Sequence, residues 1–213
     1  MKNVIASNFV EIDQQTEEWY QTRLGIPTAS KFGIIMANHG KAFGEPAKKY
    51  AIKLAVESLT GIKDSSEDFT NTHMLRGIEQ ESIAREIYEM QNFVNVLKGG
   101  FFHCGYFGGS PDGIIENDRL IEIKSVIQTT HYATLKRGAY DPAYKWQLIG
   151  NLLCSNYETI DFISYCSTFP EHKQLLVYTV ERTNDIEDEI KLLHERIEEV
   201  SEYINQTKET IEN

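Results

Sequence analysis

"GGSPDGIIENDRLIEIKS", residues 108–125, decides how the rest of the chain is read. Its second half alternates like a strand with one buried face, yet it sets Glu122 and Lys124 among apolar residues. With Glu116, Asn117 and Asp118 as a three-residue hairpin loop, Ile115 pairs with Arg119, and counting back places Asp112 opposite Glu122. Directly opposed residues hold their Cβ atoms about 4.5–5.5 Å apart, so two carboxylates would share one side of a sheet. Like charges there destabilise unless a cation joins them. Lys124, two residues past Glu122, points the same way, while Ile121 and Ile123 point to the opposite, core-facing side.

Two converging carboxylates offer the hard oxygen ligands that suit Mg²⁺, an ion that keeps several waters and takes further ligands from substrate phosphates. Such an ion lowers the pKa of a bound water and neutralises charge on a reacting phosphoryl group, and a nearby Lys orients that water or helps deprotonate it. The chemistry indicated is phosphodiester hydrolysis. A surface salt-bridge cluster is the plain alternative, and "SPDG" by itself is ordinary turn chemistry.

The surrounding chain has 213 residues, 41% hydrophobic and 25% charged, which suits one globular domain over residues 1–213. The net charge of -11 argues against nonspecific coating of nucleic acid but leaves room for a DNA enzyme. Two basic stretches, "KAFGEPAKKYAIK" (Lys41, Lys48, Lys49, Lys53) and "HYATLKRGAYDPAYK" (Lys136, Arg137, Lys145), read alone as solvated helix faces. No apolar run has the length of a membrane span and the start lacks a signal-peptide pattern, so a soluble intracellular protein is expected. Cys104, Cys154 and Cys166, an odd number at wide spacing, are expected as buried, reduced thiols. His73, His103, His131 and His172 have no ligand spacing and are not assigned to metal.

Around this centre the sequence reads helical first. "TEEWYQTRLG" has Thr16 as a cap and closes at Gly25; Thr28 caps "ASKFGIIMA"; Pro46 opens a helix that runs to Gly61. "THMLRGIEQESIAREIYEMQ" spaces Met74, Leu75, Ile78, Ile83, Ile87 and Met90 at roughly helical periods. Short strands broken by glycines follow from Phe93 to Lys124, then helices "TTHYATLKRG" and "DPAYKWQLIGNLLCSN", the second capped by Asp141. Strands "TIDFISYC" and "QLLVYTVE" precede a long acidic helix from about Asn184 to Lys208, whose stripe Ile186, Ile190, Leu193, Ile197, Val200 and Ile204 is expected to pack on its own domain. The order describes an α/β sandwich with a small mixed sheet.

At these residues the sequence resembles the D-x(n)-E-x-K nuclease superfamily, and more closely the lambda exonuclease and YqaJ group of phage recombination nucleases. Four blocks carry the likeness in the family's order: "EWYQTRLGIPTASKFGII", "RGIEQESIAREIYE", "GGSPDGIIENDRLIEIKS" and "YKWQLIGNLL". The resemblance implies a restriction-endonuclease-like core, a small mixed central β-sheet flanked by helices. It places Mg²⁺ on Asp112 and Glu122, with the backbone carbonyl of Ile123 completing the shell, and Lys124 beside the attacking water. Glu81 matches the family's helical acid near the metal, whereas neighbouring Glu79 reads as a solvent-facing carboxylate. Gln147 matches the Gln of "Y-x-x-Q", although a second Gln often found two residues later is Ile149 here.

Arg23 and Ser30 match a block that resembles an anchor for a terminal 5′-phosphate, and Ser110 matches a further phosphate contact. Arg offers a planar fork for phosphate oxygens, and Ser30 is expected in the first turn of a helix, where free N–H groups favour an anion. Met74 falls where relatives place an apolar wedge, though core packing is the ordinary role. The activity implied is a Mg²⁺-dependent exonuclease, with Mn²⁺ able to substitute, degrading double-stranded DNA ends 5′ to 3′ to leave 3′ single-stranded tails. A ring-shaped homotrimer, a single-strand annealing protein as partner and the cytoplasm of a bacterial host are implied likewise. The residues alone reach only a metal-dependent phosphodiesterase. A DNA endonuclease on the same fold and a nonhydrolytic DNA-end-binding module remain as alternatives.

Overall fold

A hairpin turning at Glu116–Asp118 organises the molecule, and Asn117 supplies the left-handed conformation (φ 58°) at its tip, one that Asn tolerates better than most residues. In this computed structural model, residues 8–37, 43–64, 72–155 and 157–213 are described, without the side chains of 8, 72–76 and 78. The chain runs β1 (Asn8–Val10), α1 (Glu17–Thr22), α2 (Phe32–Ile35), α3 (Glu45–Thr60), α4 (Thr72–Asn92), β2 (Leu97–Lys98), β3 (Phe101–His103) and β4 (Gly108–Gly109). It continues through β5 (Gly113–Ile115), β6 (Arg119–Ser125), α5 (Gln128–Arg137), α6 (Lys145–Cys154), β7 (Thr159–Tyr165), β8 (Leu175–Glu181) and α7 (Asn184–Glu212).

The larger sheet has the order β2-β5-β6-β7-β8. Only β6 and β7 are parallel neighbours in it, so they need a crossover, which α5 and α6 provide. The expected mixed sheet flanked by helices is therefore present. The pairing Ile115↔Arg119, Ile114↔Leu120 and Gly113↔Ile121 is the one counted from the sequence. A second, antiparallel sheet, β1-β3-β4, was not expected. Its strands are two or three residues long and β1 pairs with residues some 90 positions away, too little periodicity for a local reading.

Both faces of the larger sheet are covered. Leu120, Ile160 and Phe162 belong to the main core with α3, α6 and α7, while Ile121, Ile123, Ile163 and Tyr165 pack with Ala84 and Tyr88 of α4. The half-buried strand expected at residues 119–125 is thus corrected: Glu122 has 0% exposure and lies inside the sandwich. On α4 the inward face is also different from the expected stripe, since Ile83 and Met90 are exposed at 46% and 67%. Ala84 lets the helix approach the sheet, and Tyr88 fills the next turn with its hydroxyl donating to Asp161 Oδ2 at 2.6 Å. Met74 has its side chain outside the described residues.

Local rules account for most element ends. Thr16, Asp141 and Thr183 accept backbone N–H bonds as caps, and Gly61 and Gly138 close α3 and α5 in the left-handed conformation. The expected helix after Thr28 is instead a 3-10 turn, Ala29–Lys31, followed by the single turn of α2. On α7, Ile190, Leu193, Ile197, Val200 and Ile204 are buried and Ile186 packs against the same core. Ile197→Ala would cost about 2–5 kcal/mol by removing a fully buried side chain. The three cysteines are free and buried, and no helix among the described residues is long and apolar enough to cross a membrane.

Candidate active site

Asp112 continues the β5–β6 ladder by one residue: its N–H donates to Ile121 O at 3.0 Å, and its Oδ2 accepts from the Ile123 N–H at 2.6 Å. Within a strand the N–H and C=O of one residue face the same edge, so the Ile123 carbonyl also faces the side on which Asp112 stands. Glu122 Oε1 accepts from Lys124 Nζ at 2.6 Å and Gln147 Nε2 at 2.5 Å, and Oε2 accepts from Asn151 Nδ2 at 3.0 Å. Gln147 and Asn151 are one helical turn apart on α6, which places both amides over the strand. Lys124 Nζ also lies 5.2 Å from the centre of the Tyr144 ring.

From α4, Glu81 accepts from Arg85 at 2.6 Å, and Arg85 donates as well to the Asp112 carbonyl at 3.0 Å. Glu81, Arg85 and Asp112, with Gln14 and Lys98, line a cleft of about 380 Å³ that opens the cluster to solvent. Glu79 is exposed, as expected.

Three acids against one lysine and one arginine leave the cluster short of positive charge. Burial, then repulsion from Asp112, pushes Glu122 up to about 8 and Glu81 up to about 7. Burial raises the Asp112 carboxyl as well, against the pull of Lys124. Burial pushes the Lys124 ammonium down, but Glu122 and Asp112 outweigh it and hold the group above its usual range. Carboxylates that resist ionising together are the donor set a divalent cation relieves. Among the described residues no three His, Cys, Asp or Glu side chains form a ready metal cage. The all-oxygen set of Asp112, Glu122, Glu81 and the Ile123 carbonyl nevertheless fits Mg²⁺, which leaves positions to water and phosphate.

A second polar centre lies on the α1 side. Arg23 stacks its guanidinium over the Trp19 ring at 3.9 Å and donates to Thr28 Oγ1 at 3.0 Å and Ser30 Oγ at 3.4 Å. Among the described residues Arg23 has no carboxylate at ion-pair distance, although the buried Glu57 acts on it through space. Ser30 stands in the 3-10 turn, so the expected anion preference would rest on Arg23 and the hydroxyls and not on a helix terminus. Ser110 accepts from Trp19 Nε1 at 3.1 Å and donates its proton to Gly100 O at 2.6 Å. As placed, it fastens loops and has no proton left for a phosphate oxygen.

The structure thus gathers Asp112, Glu122, Lys124, Glu81 and Gln147 in one cluster, and Arg23 with Ser30 in another. Ile149 is buried in the core, so the missing second Gln leaves no gap at the site. Sequence reading passed over Asn151, Arg85, Gln14 and Trp19. For the first two a signal existed, since each lies four residues past a site residue on the same helix.

A mixed sheet carrying an acid at a hairpin's end, an acid and a lysine on the next strand, and amides from the crossover helix defines a nuclease core. The sequence matches the YqaJ-like viral recombinase domain over residues 18–158, and the chain belongs to that family. It is similar to an alkaline exonuclease (LHK-Exo) from Laribacter hongkongensis, with 30% identity, 92% of this chain and 98% of that one covered, and a TM-score of 0.79. The same values hold for LHK-Exo solved in complex with dAMP. A phage related exonuclease from Haemophilus somnus 129PT shares the fold at 16% identity and a TM-score of 0.66, over 87% of this chain and 96% of that one. No curated protein matches the sequence.

Proposed function

We propose that the protein is a Mg²⁺-dependent exonuclease that engages double-stranded DNA ends and degrades one strand 5′ to 3′, leaving 3′ single-stranded tails. The observation that carries this reading is Arg23, without a carboxylate at ion-pair distance among the described residues and bonded to Thr28 and Ser30, tied through Trp19 and Ser110 to the chain segment that ends in Asp112. An anion pocket beside a cutting centre suits an enzyme that measures its cut from a terminal phosphate. LHK-Exo, an alkaline exonuclease crystallised with dAMP, supports the same direction of inference.

Asp112, Glu122 and Glu81, with the Ile123 carbonyl, would hold the cation, and Mn²⁺ would substitute because it takes the same oxygen ligands. The ion supplies charge neutralisation at the scissile phosphate and a more acidic water. Lys124, an ammonium in its present surroundings, donates to the attacking water or to a phosphate oxygen. Gln147 and Asn151 hold the Glu122 carboxylate in one orientation, and Arg23 with Ser30 receives the terminal phosphate. A ring-shaped trimer with basic residues turned to a central channel would reconcile the charge of -11 with DNA binding. A single-strand annealing protein acting on the tails, inside a bacterial host cell, completes the reading.

The test is digestion of linear duplex DNA labelled separately at each end of each strand, with Mg²⁺, beside a covalently closed circle. Stepwise loss from 5′ ends with the circle intact is the expected result. Cutting of the circle would replace this reading with an endonuclease, and intact DNA that is still retarded on a gel would replace it with an end-binding module.

A further inference from the structure

The connection from β1 to α1 does more than join two elements. Gln14 donates through Nε2 to two carbonyls, Gly99 O at 3.0 Å and Pro111 O at 2.7 Å. Pro111 is the residue before Asp112, and the Gly99 N–H donates to the Asp112 carbonyl at 3.4 Å. The two main chains run so close that a Cβ at Gly99 would lie 1.8 Å from Pro111 O and 3.1 Å from Gln14 Nε2. The next residue, Gln15, holds a left-handed conformation, φ 67°, which is unfavourable for a residue with a Cβ and persists where its surroundings enforce it. Five residues after Gln14, Trp19 donates its indole N–H to Ser110 at 3.1 Å, while Arg23 lies on the face of the same ring.

One short segment therefore grips the chain on both sides of Pro111, at Ser110 and at the Pro111 carbonyl, and carries Arg23 at its other end. We propose that residues 14–23 form a bracket that couples the Arg23 pocket to the catalytic aspartate, with Gln14 and Trp19 as positioning residues for Asp112. The proposal rests on the exonuclease reading above and deepens it: an occupied phosphate pocket raises the rate of cutting and does not merely hold the substrate. Gln14 is suited to the task because a carboxamide offers two N–H donors to two carbonyls, which no carboxylate can do. Trp19 is suited because its ring face serves Arg23 while its edge serves Ser110, so a shift at one is passed to the other.

The experiment compares wild type, Gln14→Glu, Gln14→Met and Trp19→Phe on linear duplexes with 5′-phosphate or 5′-hydroxyl ends, with Mg²⁺ affinity measured by calorimetry and folding by thermal melting. Gln14→Glu and Gln14→Met are expected to lower kcat and Mg²⁺ affinity by about 10- to 100-fold, the usual effect of losing a group that orients a ligand, with KM for ends and the melting temperature held. Trp19→Phe keeps the ring beneath Arg23 and is expected to abolish the kcat advantage of a 5′-phosphate while leaving KM for that end in place. A loss confined to KM, an unchanged kcat, or unfolding of both Gln14 variants would overturn the bracket and leave these residues as simple struts. If the wild type does not digest ends at all, the exonuclease reading fails and not the bracket alone. A wild type that digests normally beside indifferent variants sinks only the bracket.

Discussion

Gln147 and Lys124 converge on a single oxygen of Glu122, at 2.5 and 2.6 Å, from a crossover helix and from the strand itself. That oxygen is held in a place where ionisation is costly. A carboxyl raised to about 8 from 4.5 keeps a proton in the folded state that the unfolded chain has already released, so stability falls as pH rises between those values. Glu122→Gln removes this contribution and leaves that of Glu81, raised to about 7. The metal-free variant is expected to melt above wild type at pH 8, by about 2–4 °C for each kcal/mol relieved, and to lose nuclease activity. Calorimetric scans at pH 5 and pH 8, with and without Mg²⁺, check this, and Mg²⁺ should raise the melting temperature of wild type far more than that of the variant.

Lys124→Ala should separate chemistry from binding. Loss of a group that donates to the attacking water or the phosphate is expected to lower single-turnover cleavage by about 10²- to 10⁴-fold. Retention of end-labelled duplex on the variant, measured with Ca²⁺ in place of Mg²⁺, should stay within a few fold of wild type.

Arg23→Gln should be selective in what it damages. Removing a charge-assisted contact to phosphate is worth about 10- to 100-fold in KM for 5′-phosphorylated ends, and the kcat advantage of those ends should be lost with it. For 5′-hydroxyl ends the same variant is expected to match wild type, and a comparison of initial rates on the two substrates decides it.

His131 gives the fold a limit on the acid side. It is fully buried, bonded at Nδ1 to Ser164 Oγ at 2.9 Å and at Nε2 to Lys173 O at 2.8 Å, and burial lowers its pKa below 6.5. The stability this neutral ring supports is present above pH 6.5 and is lost as pH falls through the lowered value, because the unfolded chain takes up the proton first. Urea midpoints measured from pH 8 to pH 5 should fall on the acid side in wild type and stay flatter in His131→Gln, whose midpoint is lower throughout.

The acid pair was legible because hairpin arithmetic is local: a three-residue turn fixes the register, and the register fixes which side chains face each other. The caps at Thr16 and Asp141 and the stripe on α7 were legible for the same reason. Burial of Glu122 was not, since nothing in "RLIEIKS" says that α6 will lie over the side bearing the charges. Nor was the exposure of Ile83 and Met90, because a small Ala84 beside a sheet outweighs larger side chains when close approach decides which face turns inward. Gln14 could not be found by spacing at all. Its two partners, Gly99 and Pro111, are carbonyls brought to it by tertiary folding, and a backbone acceptor leaves no mark in a sequence.

The scatter of the site along the chain has a consequence during synthesis. The crossover between β6 and β7 delivers Gln147 and Asn151 to Glu122, while Gln14 waits from the beginning for a loop near residue 111. A polypeptide still growing on the ribosome holds Arg23 and the acid strand before it holds the amides that fix Glu122. The centre is complete only once the crossover is in place, so a chain that stops before Gln147 lacks both amides that orient Glu122.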